Sequence, residues 1–194
     1  MQANQYNDAY WTERWKTGET QWDIGYPSTP LKEYIDQLTN KNMHILLPGA
    51  GNAWEGIYLI EQGFTNTIIL DISPEPLERL KNQYNIPAKN LVHADYFEHN
   101  GQYDLILEQT FFCALDPSLR KKYVEKTHSL LKPGGKLAGV LFNAELNTDH
   151  PPFGGNQKEY EELFKPCFNM RIENCYNSIK PRQNRELFIQ FAKK

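Results

Sequence analysis

From about Lys41 onward, short apolar runs alternate with stretches whose apolar residues recur at helical spacing. MHILLP (43–48), TIILDI (67–72), LVHAD (91–95), YDLILEQ (103–109) and KLAGVLFN (136–143) read as five strands. Between the first two, Asn52 stands as a cap for a helix carrying Ala53, Ile57 and Ile60 on one face. Glu55 sits three residues after the cap, and Gly63 ends the helix. Ser73-Pro74 opens a second helix, with Leu77, Leu80 and Tyr84 on one face. Asp116-Pro117 starts a third, carrying Tyr123, Thr127 and Leu130 and stopped by Lys132-Pro133-Gly134-Gly135. Strands alternating with helices predict a parallel sheet wound by right-handed crossovers.

Both ends of the chain break that rhythm. After a helix-like KEYEELF (158–164) come MRIENCYNSI (170–179) and RELFIQFAKK (185–194), joined by a turn around Pro181. They read as a hairpin that finishes the sheet antiparallel. Residues 1–40 read as two helices with a loop from Trp22 to Pro30 between them, a helical cap on the same unit. The expected fold is α/β: a doubly wound, mostly parallel seven-stranded sheet with an antiparallel C-terminal hairpin. A length of 194 residues suits one domain over 1–194.

Composition narrows the class. Hydrophobic residues at 40% suffice for a packed core, and a net charge of −3 without a dense basic run argues against nucleic acid as partner. Cys113, Cys167 and Cys175 have no metal-type spacing, and an odd count argues against a disulfide framework. The scattered histidines suggest no metal site. No run approaches the length of a membrane span, and the start of the chain has no signal-type apolar core. A cytoplasmic monomer acting on a small molecule is the expectation.

The chemistry concentrates where the first strand ends. HILLPGAG places Gly49 and Gly51 in a turn between strand and helix, and Asp71 closes the second strand about 20 residues on. Such a turn offers backbone N–H groups to one end of a nucleoside ligand, and the acid takes ribose hydroxyls. A dinucleotide fingerprint wants a third glycine where this chain has Trp54, and there is no GK[ST] phosphate loop. A second acid, Asp95, ends the third strand.

This constellation resembles the class I S-adenosylmethionine-dependent methyltransferases. The resemblance implies that the glycine turn faces the methionine part of the cofactor, that Asp71, with Ile72 beside it, holds the ribose, and that Asp95 and Tyr96 read the adenine edge. More specifically, WTERWKTGETQWDIGYPSTP (11–30), LLPGAG (46–51), LDIS (70–73), FFCALDP (111–117) and DHPPFGG (149–155) resemble the thiopurine S-methyltransferase family and, within it, the plant-type thiol and halide methyltransferases. That likeness implies cofactor contacts from Trp11, Trp15 and Trp22, with Gln109 beside the methyl-donor end. It implies transfer of a methyl group to a thiol, a thiopurine sulfur or a halide. Plant-type relatives tend to carry tyrosines where this chain has Phe142 and Phe153, which favours an apolar or soft sulfur acceptor over a small anion.

Taken from the residues alone, Trp11 and Trp15 lie four apart on one helix face. They are either core anchors or aromatic faces over a cationic ligand. Arg182 and Arg185 are either solvated loop charge or neighbours that favour a thiolate. Asp149 and His150 are either turn chemistry or a weak base and proton relay; with Arg182 they are the catalytic candidates. Cys113, in apolar company, reads as a buried structural thiol. HPPF (150–153) looks like an element of amino-methylating enzymes but follows the wrong strand. An O- or N-methyltransferase and a cofactor-binding regulator stand as the rival functions.

Overall fold

The computed structural model describes residues 5–194, so residues 1–4 of the expected cap lie outside the described residues. Among the described residues, seven strands form one sheet: β1 Ile45–Pro48, β2 Thr67–Asp71, β3 Leu91–His93, β4 Tyr103–Gln109, β5 Leu131–Phe142, β6 Phe168–Asn174 and β7 Glu186–Lys193. Their order is β3-β2-β1-β4-β5-β7-β6. β1 to β5 pair in parallel, and β7 runs antiparallel to both β5 and β6, as the tail pattern predicts.

The continuous apolar runs follow from burial on both faces. Alternate side chains leave the sheet in opposite directions. Leu46, Ile106 and Leu137 therefore join one core, while Ile45, Leu47, Leu105 and Leu107 join the other. Helices α5 (Arg120–Leu130) and α6 (Gln157–Phe164) cover the first face through Tyr123, Val124, Tyr160 and Phe164. Helices α2 (Thr29–Asp36), α3 (Trp54–Glu61) and α4 (Pro74–Tyr84) cover the second through Leu31, Ile35, Leu59, Leu77 and Leu80. The first helix, α1 (Asp8–Thr17), buries no residue fully. It is tied to α4 by a 2.7 Å hydrogen bond between the Thr12 and Ser73 hydroxyls.

Several local readings need correction. Asn52 does not cap α3: its side chain takes the Arg79 guanidinium, and Ala53, in the left-handed region at φ 46°, precedes the helix without a side-chain cap. Glu55 turns inward instead of back to a cap. Trp54 packs at the margin of the second core, its indole N–H donating to Asp23 at 2.7 Å and its ring against Tyr84. The glycine that seats α3 on the sheet is Gly56, where a Cβ would lie 2.7 Å from Ile69 Cδ1. β3 stops at His93, so Asp95 stands in the turn beyond the strand rather than at its end. The KPGG segment lies inside β5, where Gly134 has φ 75° and the register to β4 shifts.

Candidate active site

In an open parallel sheet, ligands bind beyond the carboxyl ends of the strands where the strand order reverses. Here that point lies between β1 and β4, and a cavity of about 690 Å³ opens there. Its floor is the glycine turn. Gly49 has φ 67° and Gly51 φ 51°, a region that disfavours side chains. A Cβ on Gly49 would stand 2.5 Å from the Phe111 ring, and one on Gly51 would stand 3.5 Å from the Trp22 indole nitrogen. The first glycine thus admits Phe111 against the turn; at the second, where a Cβ would meet Trp22 at ordinary contact distance, it is the positive φ that favours glycine.

Asp71 ends β2 beside this turn. One carboxylate oxygen accepts the Ser73 N–H at 2.8 Å, and the other faces the Gly51 N–H at 3.4 Å. Burial raises its pKa to about 6, against the pull of those hydrogen bonds. Ile72 follows it along the wall. Asp95 accepts the Phe97 N–H at 2.8 Å and borders the same cavity. Tyr96 does too, but its hydroxyl is turned to Thr127 at 2.7 Å and its ring stacks on Tyr123. What it offers the cavity is ring surface.

The end of β4 forms the opposite lip. Glu108 is buried beneath it and accepts the N–H groups of Phe111 and Phe112 at 2.8 and 2.9 Å and the Tyr123 hydroxyl at 2.8 Å. Burial lifts its pKa to about 7. Gln109 faces the cavity, and Thr110 holds φ 59°, a strained position for a β-branched residue. Cys113 is buried, with its thiol on the Thr110 carbonyl and its pKa pushed up to about 12, which fits a structural thiol.

Aromatic rings close the top. Trp22 packs edge-on against both Trp11 and Trp15, at 5.7 and 5.9 Å between ring centroids. All three are half-buried and border the cavity, so they are lining rather than core anchors.

At the far end stand Phe142, His150, Arg182 and Arg185. Arg182 is engaged: its guanidinium donates to the Trp22 carbonyl at 3.2 Å, pairs with buried Glu186 at 3.6 Å and lies over the Phe142 ring. Arg185 is exposed at the mouth, and among the described residues its guanidinium has no ion-pair partner. Asp149 does not line the cavity; its side chain is 82% exposed and lies 3.8 Å from His150 Nε2, and its backbone carbonyl accepts the Tyr6 hydroxyl at 2.9 Å. His150 stands at the rim. Phe153 is buried under Tyr6 and lines no part of the cavity, so Phe142 alone carries the contrast with tyrosine. Sequence reasoning missed Ser28, whose buried N–H and hydroxyl both reach Glu55. Its signal was present in Ser28-Thr29-Pro30, a helix-start pattern.

Among the described residues no helix is long and apolar enough to cross a membrane. The profile of the thiopurine S-methyltransferase family matches residues 6–192. A probable thiol methyltransferase 2 of Arabidopsis thaliana is 29% identical over 94% of this chain and 84% of the relative. A thiocyanate methyltransferase 1 of Brassica oleracea is 27% identical over the same shares. Among solved structures, the 1,6-didemethyltoxoflavin-N1-methyltransferase of Burkholderia thailandensis, bound to S-adenosylhomocysteine, superposes with a TM-score of 0.70 at 16% identity. That match covers 96% of this chain and 87% of the other. The chain belongs to the thiopurine S-methyltransferase family and is an S-adenosylmethionine-dependent methyltransferase.

Proposed function

We propose that this member of the thiopurine S-methyltransferase family methylates the sulfur of a small thiol or thiopurine, as a single-domain, cytoplasmic monomer. One observation carries the reading: a single cavity is lined both by the glycine turn with its two acids and by Phe142 with the exposed Arg185. Its volume falls within the range of about 300–1,000 Å³ usual for small-molecule sites. The residues fit the cofactor. The Asp71 carboxylate borders the cavity beside the glycine turn, where ribose hydroxyls would donate, and three indoles line it with aromatic surface for a cation.

S-adenosylmethionine supplies a methyl group on a sulfonium that is its own leaving group. The chain's residues then have to align the acceptor and exclude water. Trp11, Trp15 and Trp22 cover the cofactor, Asp71 with Ile72 holds the ribose, and Asp95 and Tyr96 frame the adenine. Gln109 stands at the methyl-donor end. A thiol with an ordinary pKa of about 8.5 is a few per cent thiolate near neutrality, so no strong base is required. Arg185 draws the thiolate to the mouth, and Phe142 gives it an apolar seat. His150 can pass the proton to solvent from the rim. Arg182 serves as a tie between the Trp22 loop and Glu186 rather than as a free charge. The names of the plant relatives support a sulfur acceptor, and Phe142 in place of a phenol weakens the halide reading.

A methyl-transfer panel of thiols, thiopurines, thiocyanate, halides and phenols tests this. Turnover is expected on the sulfur compounds. Turnover confined to phenols or amines would overturn the sulfur assignment and leave the methyltransferase standing.

A further inference from the structure

Ser28 is buried where three elements meet: the start of α2, the first turn of α3 and the end of β4. Its N–H donates to Glu55 Oε1 at 2.8 Å. Its hydroxyl oxygen lies 3.0 Å from that same oxygen and 3.2 Å from Gln109 Oε1. A hydroxyl has one proton to give and lone pairs with which to accept. It cannot donate to both oxygens, and two acceptors left facing each other would repel.

The proton can be assigned. Glu55 Oε1 already accepts the Ser28 N–H, so it is the carboxyl oxygen without a proton of its own. Burial pushes the Glu55 pKa up, and the Ser28 hydrogen bonds and the Arg182 charge act against that rise; in either protonation state Oε1 remains the accepting oxygen. The Ser28 hydroxyl therefore donates to Glu55, and its lone pairs are left for Gln109. A carboxamide meets a lone pair only through its NH2 group. A half-turn about the last side-chain bond exchanges oxygen and nitrogen without changing the shape of the group.

We infer that Glu55 and Ser28 are positioning residues that set the Gln109 carboxamide with its nitrogen on Ser28 and its carbonyl oxygen facing the cavity. This rests on the methyltransferase reading, which puts the methyl-donor end of the cofactor there. The carbonyl dipole then faces the positive sulfonium and its methyl group. The product thioether is neutral and gains nothing from that dipole. The relay thus makes the site prefer the charged donor to the spent one, and it eases product release.

Calorimetry on the full chain, without acceptor, reads this as the ratio of affinities for S-adenosylmethionine and S-adenosylhomocysteine. Ser28→Ala is expected to lower that ratio by roughly 3- to 10-fold with homocysteine-form affinity held within about twofold. Ser28→Thr, which keeps the hydroxyl, should restore it. Gln109→Met, a change on the cavity wall that leaves the buried pair intact, should lower the ratio similarly. An unchanged ratio in both Ser28→Ala and Gln109→Met would overturn the inference, and so would equal weakening of both ligands. Failure of the unaltered protein to bind S-adenosylhomocysteine at all would instead remove the methyltransferase reading beneath it.

Discussion

The two ends of the cavity are built differently. At the proposed cofactor end, the groups beneath the ligand stand at the tips of central strands: the Gly49–Gly51 turn after β1, Asp71 at the end of β2 and Gln109 at the end of β4; the tryptophans above come from α1 and the loop after it. At the acceptor end, Phe142 alone comes from a strand. His150, Arg182 and Arg185 come from connections, and Arg182 is held by side-chain ties to Glu186 and the Trp22 carbonyl. A part of the ligand that never varies can be met by a rigid frame, whereas the part that differs among relatives is met by loops. The cofactor end can thus be read from pattern, and the acceptor end depends on contacts between distant segments.

The contrast can be broken at buried carboxylates. Glu108 faces the core and Asp71 faces the cavity, yet burial raises both. For Glu108 the folded protein keeps a proton that the unfolded chain releases between pH 4.5 and about 7. Stability therefore falls as pH rises through that window and levels off above it. Glu108→Gln should reduce the loss of unfolding free energy between pH 5 and 8 by up to about 3 kcal/mol in denaturant titrations. An equal pH dependence in both proteins would show that Glu108 does not hold the proton.

Asp71→Ala comes next. It should weaken S-adenosylhomocysteine binding roughly 10- to 30-fold by calorimetry, about 1.4–2 kcal/mol, without altering which acceptors are used. In the unaltered protein, affinity should decline as pH drops below about 6, where this carboxylate takes up a proton. Affinity that is flat with pH and indifferent to the substitution would refute the ribose role. The smallest effect belongs to Asp149→Ala. An exposed carboxylate outside the cavity should leave kcat/KM within about twofold at any pH tested; a larger loss would return it to the catalytic set.

These differences explain how much the sequence disclosed. Strands buried on both faces must be apolar throughout, so β1, β2 and β4 were visible as runs, and β4 matched at both ends. Asp71 was legible because it follows such a run directly. Glu55 was misread because its place in the first turn of α3 satisfies a local capping rule. What overrode the rule is tertiary: the buried Ser28 N–H needs an acceptor, and Glu55 is the one in reach. Thr110 gave no signal, since its positive φ arises from the sharp exit of β4 around buried Glu108. Phe153 was assigned through the likeness to the plant-type relatives, and Asp149 as a weak base beside His150. The chain turns between them, so that Phe153 goes under Tyr6 and Asp149 outward.

The reversal of β7 has an evolutionary consequence. Because β7 runs antiparallel between β5 and β6, the connection entering it emerges at the same edge as the tips of the parallel strands. The exposed positions of residues 175–185, such as Tyr176, Lys180 and Arg185, can exchange side chains while the seven-residue pairing of β7 with β5 holds its register. Duplicated copies of such a gene could therefore explore new acceptors by altering one return loop, provided Arg182 keeps its tie to the Trp22 carbonyl.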